Sequence, residues 1–264
     1  MSSSLYVIKI GGNIIDHPDA LSTFLDKFSS IKAPKILVHG GGKIATKLGE
    51  KLGIVSQYVD GRRITNDETI DLVTMVYGGL INKQIVAQLQ MCQTNAIGLT
   101  GTDGNSIPAH KRPVKEVDFG WVGDVETEKI NTELLSALLH SQVTPVFAPL
   151  THDQNGHILN TNADTIASSL AIALSSIFQV RLIYCFEKKG VLENVNDDNS
   201  VIRNINAQYY AQLKAENKLF EGILPKLDNA FSAIQKGVKE VLIGHADDII
   251  TNTTAQTTGT LIEA

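Results

Sequence analysis

Apolar positions in this chain of 264 residues follow two rhythms. Short unbroken runs alternate with stretches in which apolar residues recur every three or four positions. Leu5-Tyr-Val-Ile-Lys-Ile10 is a run of the first kind and leads straight into Gly11-Gly12. Such a run, closed by turn residues, predicts a strand buried on both faces. Leu21, Phe24, Leu25 and Phe28 then share one face of a helix predicted over 20–30. Lys35-Ile-Leu-Val-His39 predicts a second buried strand, again ending in glycines (Gly40-Gly41-Gly42), and a helix follows over 44–52. Strand, glycine turn and helix in succession, twice over, predict an α/β protein with a mainly parallel sheet.

Further along, 67–92 predicts a long helical stretch, open to a break near Gly78-Gly79. A strand over 96–99 precedes a polar loop over 100–105. The segment 114–125 alternates and predicts a hairpin turning at Gly120. Helices are predicted over 131–141, 163–175 and 224–236, and strands over 144–148, 180–184 and 240–243. Asn194 to Asn199 reads as a polar turn, and the Thr-rich stretch 251–260 as a loop before a final edge strand.

Composition narrows the class. Hydrophobic residues are 43% and charged ones 19%, enough for a real core. Lys plus Arg is 23 against 28 Asp plus Glu, a formal charge of −5, which argues against tracking nucleic acid by bulk charge. Cys92 and Cys185 cannot build a disulfide framework or a Cys-based zinc site, so a reduced, cytoplasmic compartment is expected. The N-terminal residues lack the basic-then-apolar layout of a signal peptide. No apolar run approaches the roughly 20 residues of a membrane span. Neither nucleic acid nor membrane is an expected partner.

In open α/β sheets ligands sit beyond the carboxyl ends of the strands. Two strands ending in glycine clusters put bare backbone there, suited to an anion or simply to tight turns. Neither cluster is a GxxxxGK[ST] loop, and Gly11-Gly12 lacks the third glycine of a dinucleotide fingerprint. Lys9, at the end of an apolar strand, calls for an anion or water at its ammonium. Lys226 follows Gly222-Ile-Leu-Pro225 at a helix start, where a solvated lysine is equally at home. Asn160, Asn162 and Asp164 alternate, so in an extended segment they would share a face, with Asp164 as the cap of the next helix. Asp60-Gly61-Arg62-Arg63 reads as a hairpin tip. His39 reads as structural. The seven histidines show no ligand spacing, no serine elbow is present, and no protein-held metal is expected.

Lys9-Ile-Gly-Gly12, Val38-His-Gly-Gly-Gly42, Asp60-Gly-Arg-Arg-Ile-Thr65, Leu159-Asn-Thr-Asn-Ala-Asp164 and Gly222-Ile-Leu-Pro-Lys226 together resemble the acetylglutamate kinase family, within the wider amino acid kinase group, over essentially the whole chain. The resemblance implies a three-layer αβα sandwich with a central, mainly parallel sheet. It implies one domain over 1–264, with an acylglutamate-binding lobe (about 1–165) and an ATP-binding lobe (about 166–264). It implies ATP-dependent phosphorylation of a side-chain carboxylate in arginine biosynthesis, with Mg²⁺ carried on the ATP phosphates. By the same resemblance Lys9 and Lys226 flank the transferring phosphoryl group and Asp164 orients them. Gly41, Gly42, Arg63 and Asn160 hold the acylglutamate. Gly11, Gly12, Glu187, Gly190 and Leu192 lie on the nucleotide side.

The chain departs from the family pattern at four places. Lys43 stands where a proline commonly follows the glycine triplet. Cys185-Phe-Glu-Lys-Lys-Gly190 replaces Thr/Ser-Asp-x-x-Gly, with Glu187 for aspartate. The N-terminal helix of arginine-inhibited members is missing before Leu5, which predicts a homodimer that free arginine does not inhibit. Arg62 stands where the family has an apolar residue against the acetyl methyl. A guanidinium gains a charge-assisted hydrogen bond from a carboxylate and nothing from a methyl group. Arg62 therefore raises N-succinyl-L-glutamate as the alternative substrate to N-acetyl-L-glutamate, unless it points to solvent.

Overall fold

The computed structural model describes residues 3–194, 196–216, 218–219 and 223–263. Gly222 of the Gly222–Lys226 motif and Val195 of the Asn194–Asn199 turn lie outside the described residues. One eight-stranded sheet forms the middle layer. Its order from one edge is Asn204–Ile205, Thr260–Ile262, Glu240–His245, Gln179–Phe186, Ser4–Ile10, Lys35–His39, Thr144–Phe147 and Ala96–Leu99. The six strands from Glu240–His245 onward pair in parallel. Thr260–Ile262 runs antiparallel to Glu240–His245, and Asn204–Ile205 runs parallel to Thr260–Ile262.

Side chains alternate across each strand, and the two parities of Ser4–Ile10 feed two cores. Leu5 and Val7 belong to a cluster with Ile166, Leu170 and Leu227, from the helices Ala163–Leu174 and Leu224–Gln235. Ile8 and Ile10 belong to the opposite cluster with Phe24, Phe28 and Ile85, from the helices Pro18–Ser30 and Asn82–Met91. Helices thus cover both faces, as the three-layer expectation required. Lys9 shares the parity of Leu5 and Val7, so its side chain projects toward the start of Ala163–Leu174. Asparagines begin several helices: the side chains of Asn66, Asn131, Asn162 and Asn206 each accept a first-turn N–H. A side-chain acceptor at this position satisfies a donor that has no partner within the helix.

Three expectations change. The 67–92 stretch does not break at Gly78-Gly79. It runs on as Asp67–Val73, a π-helical segment Thr74–Ile81, and Asn82–Met91. The wider π turn keeps Val76, Tyr77 and Ile81 buried, and such turns cluster near functional sites. The hairpin expected over 114–125 pairs Ala109–Lys111 with Gly123–Val125, leaving 112–122 as a long connection. Its Gly120 has φ +70, and a Cβ there would collide with the Thr65 carbonyl oxygen. Lastly, Asn162 rather than Asp164 caps the helix, and Asp164 lies in its first turn. Asn160 ends a short strand, Ile158–Asn160, so the three residues do not share one extended face.

Candidate active site

Two ammonium groups meet one carboxylate at the carboxyl end of the sheet. Lys9 Nζ lies 2.8 Å from Asp164 Oδ1, and Lys226 Nζ lies 3.1 Å from Asp164 Oδ2. Local structure aims all three. Strand parity directs Lys9. The Asn162 side chain accepts from the N–H groups of Asp164 (2.7 Å) and Thr165 (3.2 Å), which fixes the first turn that carries Asp164. Lys226 stands in the first turn of Leu224–Gln235 and packs over the Phe186 ring, 5.5 Å from its centroid. Burial alone would raise the Asp164 carboxyl; the Lys9 and Lys226 ammoniums outweigh it and bring it to about 2. Asp164 is therefore ionised at neutral pH and is not poised as a base. Burial first, then the Asp164 charge, pushes the Tyr184 phenol up, so its hydroxyl stays protonated and donates to the Asp164 carbonyl oxygen at 3.3 Å.

A cavity of about 600 Å³ opens beside this triad. Gly40, Gly41 and Gly42 form one wall, the Arg62–Arg63 hairpin another, and Asn160 to Thr165 with Lys226 the floor. Its charged lining is Arg62, Arg63, Arg112 and Lys226 against Asp60 and Asp164. An excess of cations in a concave site favours an anionic ligand. Arg63 is buried; its Nη2 donates to Gly42 O (2.9 Å) and Thr46 Oγ1 (2.9 Å), and its Nη1 to Ser56 Oγ. The guanidinium also stacks 4.9 Å from the Tyr58 ring centroid. Arg63 thus fastens the hairpin to the glycine triplet while lining the cavity. Arg62 is exposed along the rim. Asn160 Nδ2 donates to Thr65 Oγ1 at 3.0 Å, tying the floor to the same hairpin.

The glycine triplet is shaped by what lies behind it. Gly41 has φ +152, and a Cβ there would strike the Ile81 side chain and come within 3.2 Å of the Tyr77 ring. His39 is fully buried; its Nδ1 lies 2.7 Å from Gly40 O, and its Nε2 3.2 Å from Asn82 Nδ2. Nδ1–H therefore donates to Gly40 and Nε2 accepts from Asn82, the neutral tautomer. Burial lowers His39 to about 4, against which the Gly40 hydrogen bond acts. The structural reading of His39 holds.

Sequence reasoning missed several cavity residues. Arg112 is one: its Nε and Nη2 grip Asp124, with Nη2–Oδ1 at 2.6 Å. The misplaced hairpin hid this pair, because Arg112 falls just outside 114–125. Tyr58, Tyr77 and Asn229 also line the cavity, and Asn229 follows Lys226 by one helical turn, a spacing that could have flagged it. Of the residues expected on the nucleotide side, Gly11 abuts Lys9: a Cβ on it would lie 3.5 Å from Lys9 Nζ. A Cβ on Gly12 would lie 3.1 Å from Asp16 Oδ2. Glu187 is exposed, whereas Gly190 and Leu192 are buried. A Cβ at Gly190 would come within 2.6 Å of Thr260 Oγ1, so packing against Thr260 already requires that glycine.

Residues 4–245 match the model of the Amino acid kinase family. The acetylglutamate kinase of Cytophaga hutchinsonii is 56% identical over 247 residues, covering 93% of each chain. That of Bacteroides fragilis is 55% identical over 252 residues, covering 96% of each. Among solved structures, smu.665 from Streptococcus mutans superposes with a TM-score of 0.77 at 27% identity, covering 98% of each chain.

Two outcomes follow for the glycine wall. Gly41→Ala should destabilise the fold by about 1–3 kcal/mol and weaken binding of the acidic substrate, read by thermal unfolding and by KM. Between pH 6.5 and about 4 the unfolded chain binds a proton at His39 that the folded chain refuses, so stability should fall as pH drops through that window. His39→Gln should remove most of this slope, on the order of 3 kcal/mol for the full shift, in urea unfolding repeated across the range.

Proposed function

The chain belongs to the amino acid kinase family, and we propose that it transfers the γ-phosphoryl group of ATP to the side-chain carboxylate of N-acetyl-L-glutamate. The observation that carries this reading is the Lys9–Asp164–Lys226 triad, of which Asp164 and Lys226 line the floor of a cationic cavity and Lys9 pairs with Asp164 from the adjacent strand. Relatives more than half identical over nearly their full length bear the acetylglutamate kinase name, which supports the same acid. Such a kinase is an enzyme of amino-acid biosynthesis, and we assign it to the arginine route.

In this reading the lobe of about 1–165 holds the acid. Gly41, Gly42, Arg63 and Asn160 grip it, and the lobe of about 166–264 receives ATP. One carboxylate oxygen attacks the γ-phosphorus, the bond from phosphorus to the β–γ bridging oxygen breaks, and ADP leaves with that electron pair. Lys9 and Lys226 neutralise charge on the phosphoryl oxygens as it moves, which is most of what such a transfer asks of a protein. No base is needed, because the attacking carboxylate is already ionised. Gly11 and Gly12 give backbone room to the phosphates, and Glu187 stands at the nucleotide edge. Both Asp164 oxygens are engaged by lysines, so Mg²⁺ fits on the ATP phosphates rather than in a protein cage. When bound there it supplies further charge neutralisation.

A second reading rests on Arg62, an exposed guanidinium that lines the same cavity, whereas Arg112 is already paired with Asp124. Arg62 supplies charge for a second carboxylate, as an N-succinyl group would carry. For the assembly we propose a homodimer. Met75 and Leu80 of the π-helical segment and Ile97 of the edge strand Ala96–Leu99 are exposed, which supports self-association through apolar surface. No helix among the described residues is long and apolar enough to cross a membrane. The two free cysteines support a reducing, cytoplasmic setting.

Coupled ADP release with purified protein tests the reading: turnover should require both ATP and the acylglutamate. Lys9→Ala and Lys226→Ala should each lower kcat on the order of 10²-fold or more, with smaller effects on KM than Arg63→Ala. Near-normal turnover in both lysine variants would overturn the assignment. The ratio of kcat/KM for the acetyl and succinyl acids, in wild type and Arg62→Leu, separates the two substrates. A wild-type preference for the acetyl acid, unchanged in the variant, is expected on the first reading, and a succinyl preference that Arg62→Leu abolishes on the second.

A further inference from the structure

The residues that follow the two glycine turns supply an ion pair, Asp16 with Lys43, that the phosphoryl-transfer reading does not use. Asp16 caps the short helix Gly12–Ile15, and its side chain is only 8% exposed. Neither carboxylate oxygen has a hydrogen-bond partner among the described residues. A buried carboxylate in that condition is costly, and its place at a helix C-terminus adds repulsion from the helix dipole. Among the described residues one cation lies within 4.0 Å: the Lys43 ammonium, 3.7 Å from Oδ2. Lys43 itself sits in the first turn of the helix Gly42–Lys51, the end at which a positive charge is disfavoured. The compensation is one-sided: the Lys43 side chain is 66% exposed and its ammonium also meets water, whereas the enclosed Asp16 carboxylate has this ammonium as its one cation within 4.0 Å among the described residues.

The pair joins the two turns that matter. The turns abut: Gly40 N donates to Ile10 O at 3.0 Å, and a Cβ on Gly40 would lie 3.8 Å from Gly11 Cα. A side chain on Gly12 would intrude on Asp16, so the carboxylate lies directly behind the first turn. We infer that Asp16 and Lys43 form a charged strut between the Gly11–Gly12 and Gly41–Gly42 turns and act as positioning residues, fixing the approach of the acceptor carboxylate to the γ-phosphate. The inference rests on the kinase reading for which turn holds which group. The strut itself is a property of the two turns alone.

Steady-state ADP release from Asp16→Asn, Lys43→Met, the double variant and Lys43→Arg tests it, with thermal unfolding as a control for folding. Each single variant should lose on the order of tenfold in kcat with both KM values within about threefold, and the double should be no slower than the slower single. Lys43→Arg should recover most of the rate. Full kcat in both singles, or losses that multiply in the double, would overturn the strut. Amide hydrogen exchange of peptides spanning the two turns gives a readout independent of the substrate. In both singles exchange should rise in both turns together, and a rise confined to the mutated turn would overturn the strut even if the wild type does not phosphorylate acetylglutamate.

Discussion

Asp164 placed between Lys9 and Lys226 is the constraint on which the rest of the site depends. Two ammonium groups from separate elements repel each other unless an anion lies between them, and the buried carboxylate supplies it. Its acidity follows from the same contacts: burial opposes the charge and the two lysines restore it. The sheet, the helix capped by Asn162 and the helix Leu224–Gln235 each deliver one member. Ser4–Ile10 must keep its parity, Asn162 must cap its helix, and Leu224–Gln235 must begin where it does. A change in any of these would separate the charges.

Around that triad the cavity combines rigid backbone with fixed cations. The glycine wall is held from behind by His39 and Asn82 and from the side by Arg63, so neighbouring side chains determine where the bare amides lie. Such preorganisation suits a reaction in which charge is redistributed over phosphoryl oxygens and little else changes. The π-helical segment takes part indirectly, because its Tyr77 and Ile81 leave room at Gly41 only for glycine.

Much of this was legible in the chain. The strands before Gly11 and Gly40 and helices on both faces of the sheet could be read from periodicity, because strand parity and helical spacing are local; that Lys9 and Asp164 belong together was implied only by the family resemblance of their motifs. What failed was set by distant contacts. The π turn runs through Gly78 and Gly79; a Cβ on Gly78 would lie 3.4 Å from the Leu150 side chain, a neighbour far along the chain, while Gly79 faces open space. The true arms of the second hairpin are Ala109–Lys111 and Gly123–Val125, and the long connection between them carries turn residues that imitate a tighter hairpin. Arg112 went unread for that reason, since its role depends on Asp124 across the pairing. Asp164 looked like a cap because its chemistry suits one, and only the backbone revealed that Asn162 had taken the position.

The most direct measurement is kcat for Asp164→Asn, with the acyl phosphate product trapped by hydroxylamine and ATP affinity measured separately by calorimetry. Asparagine keeps the shape and removes the charge that holds the lysines together. Hydroxamate formation should fall on the order of 10²-fold or more while ATP affinity changes far less. Product formation at the wild-type rate would contradict the role given to the triad.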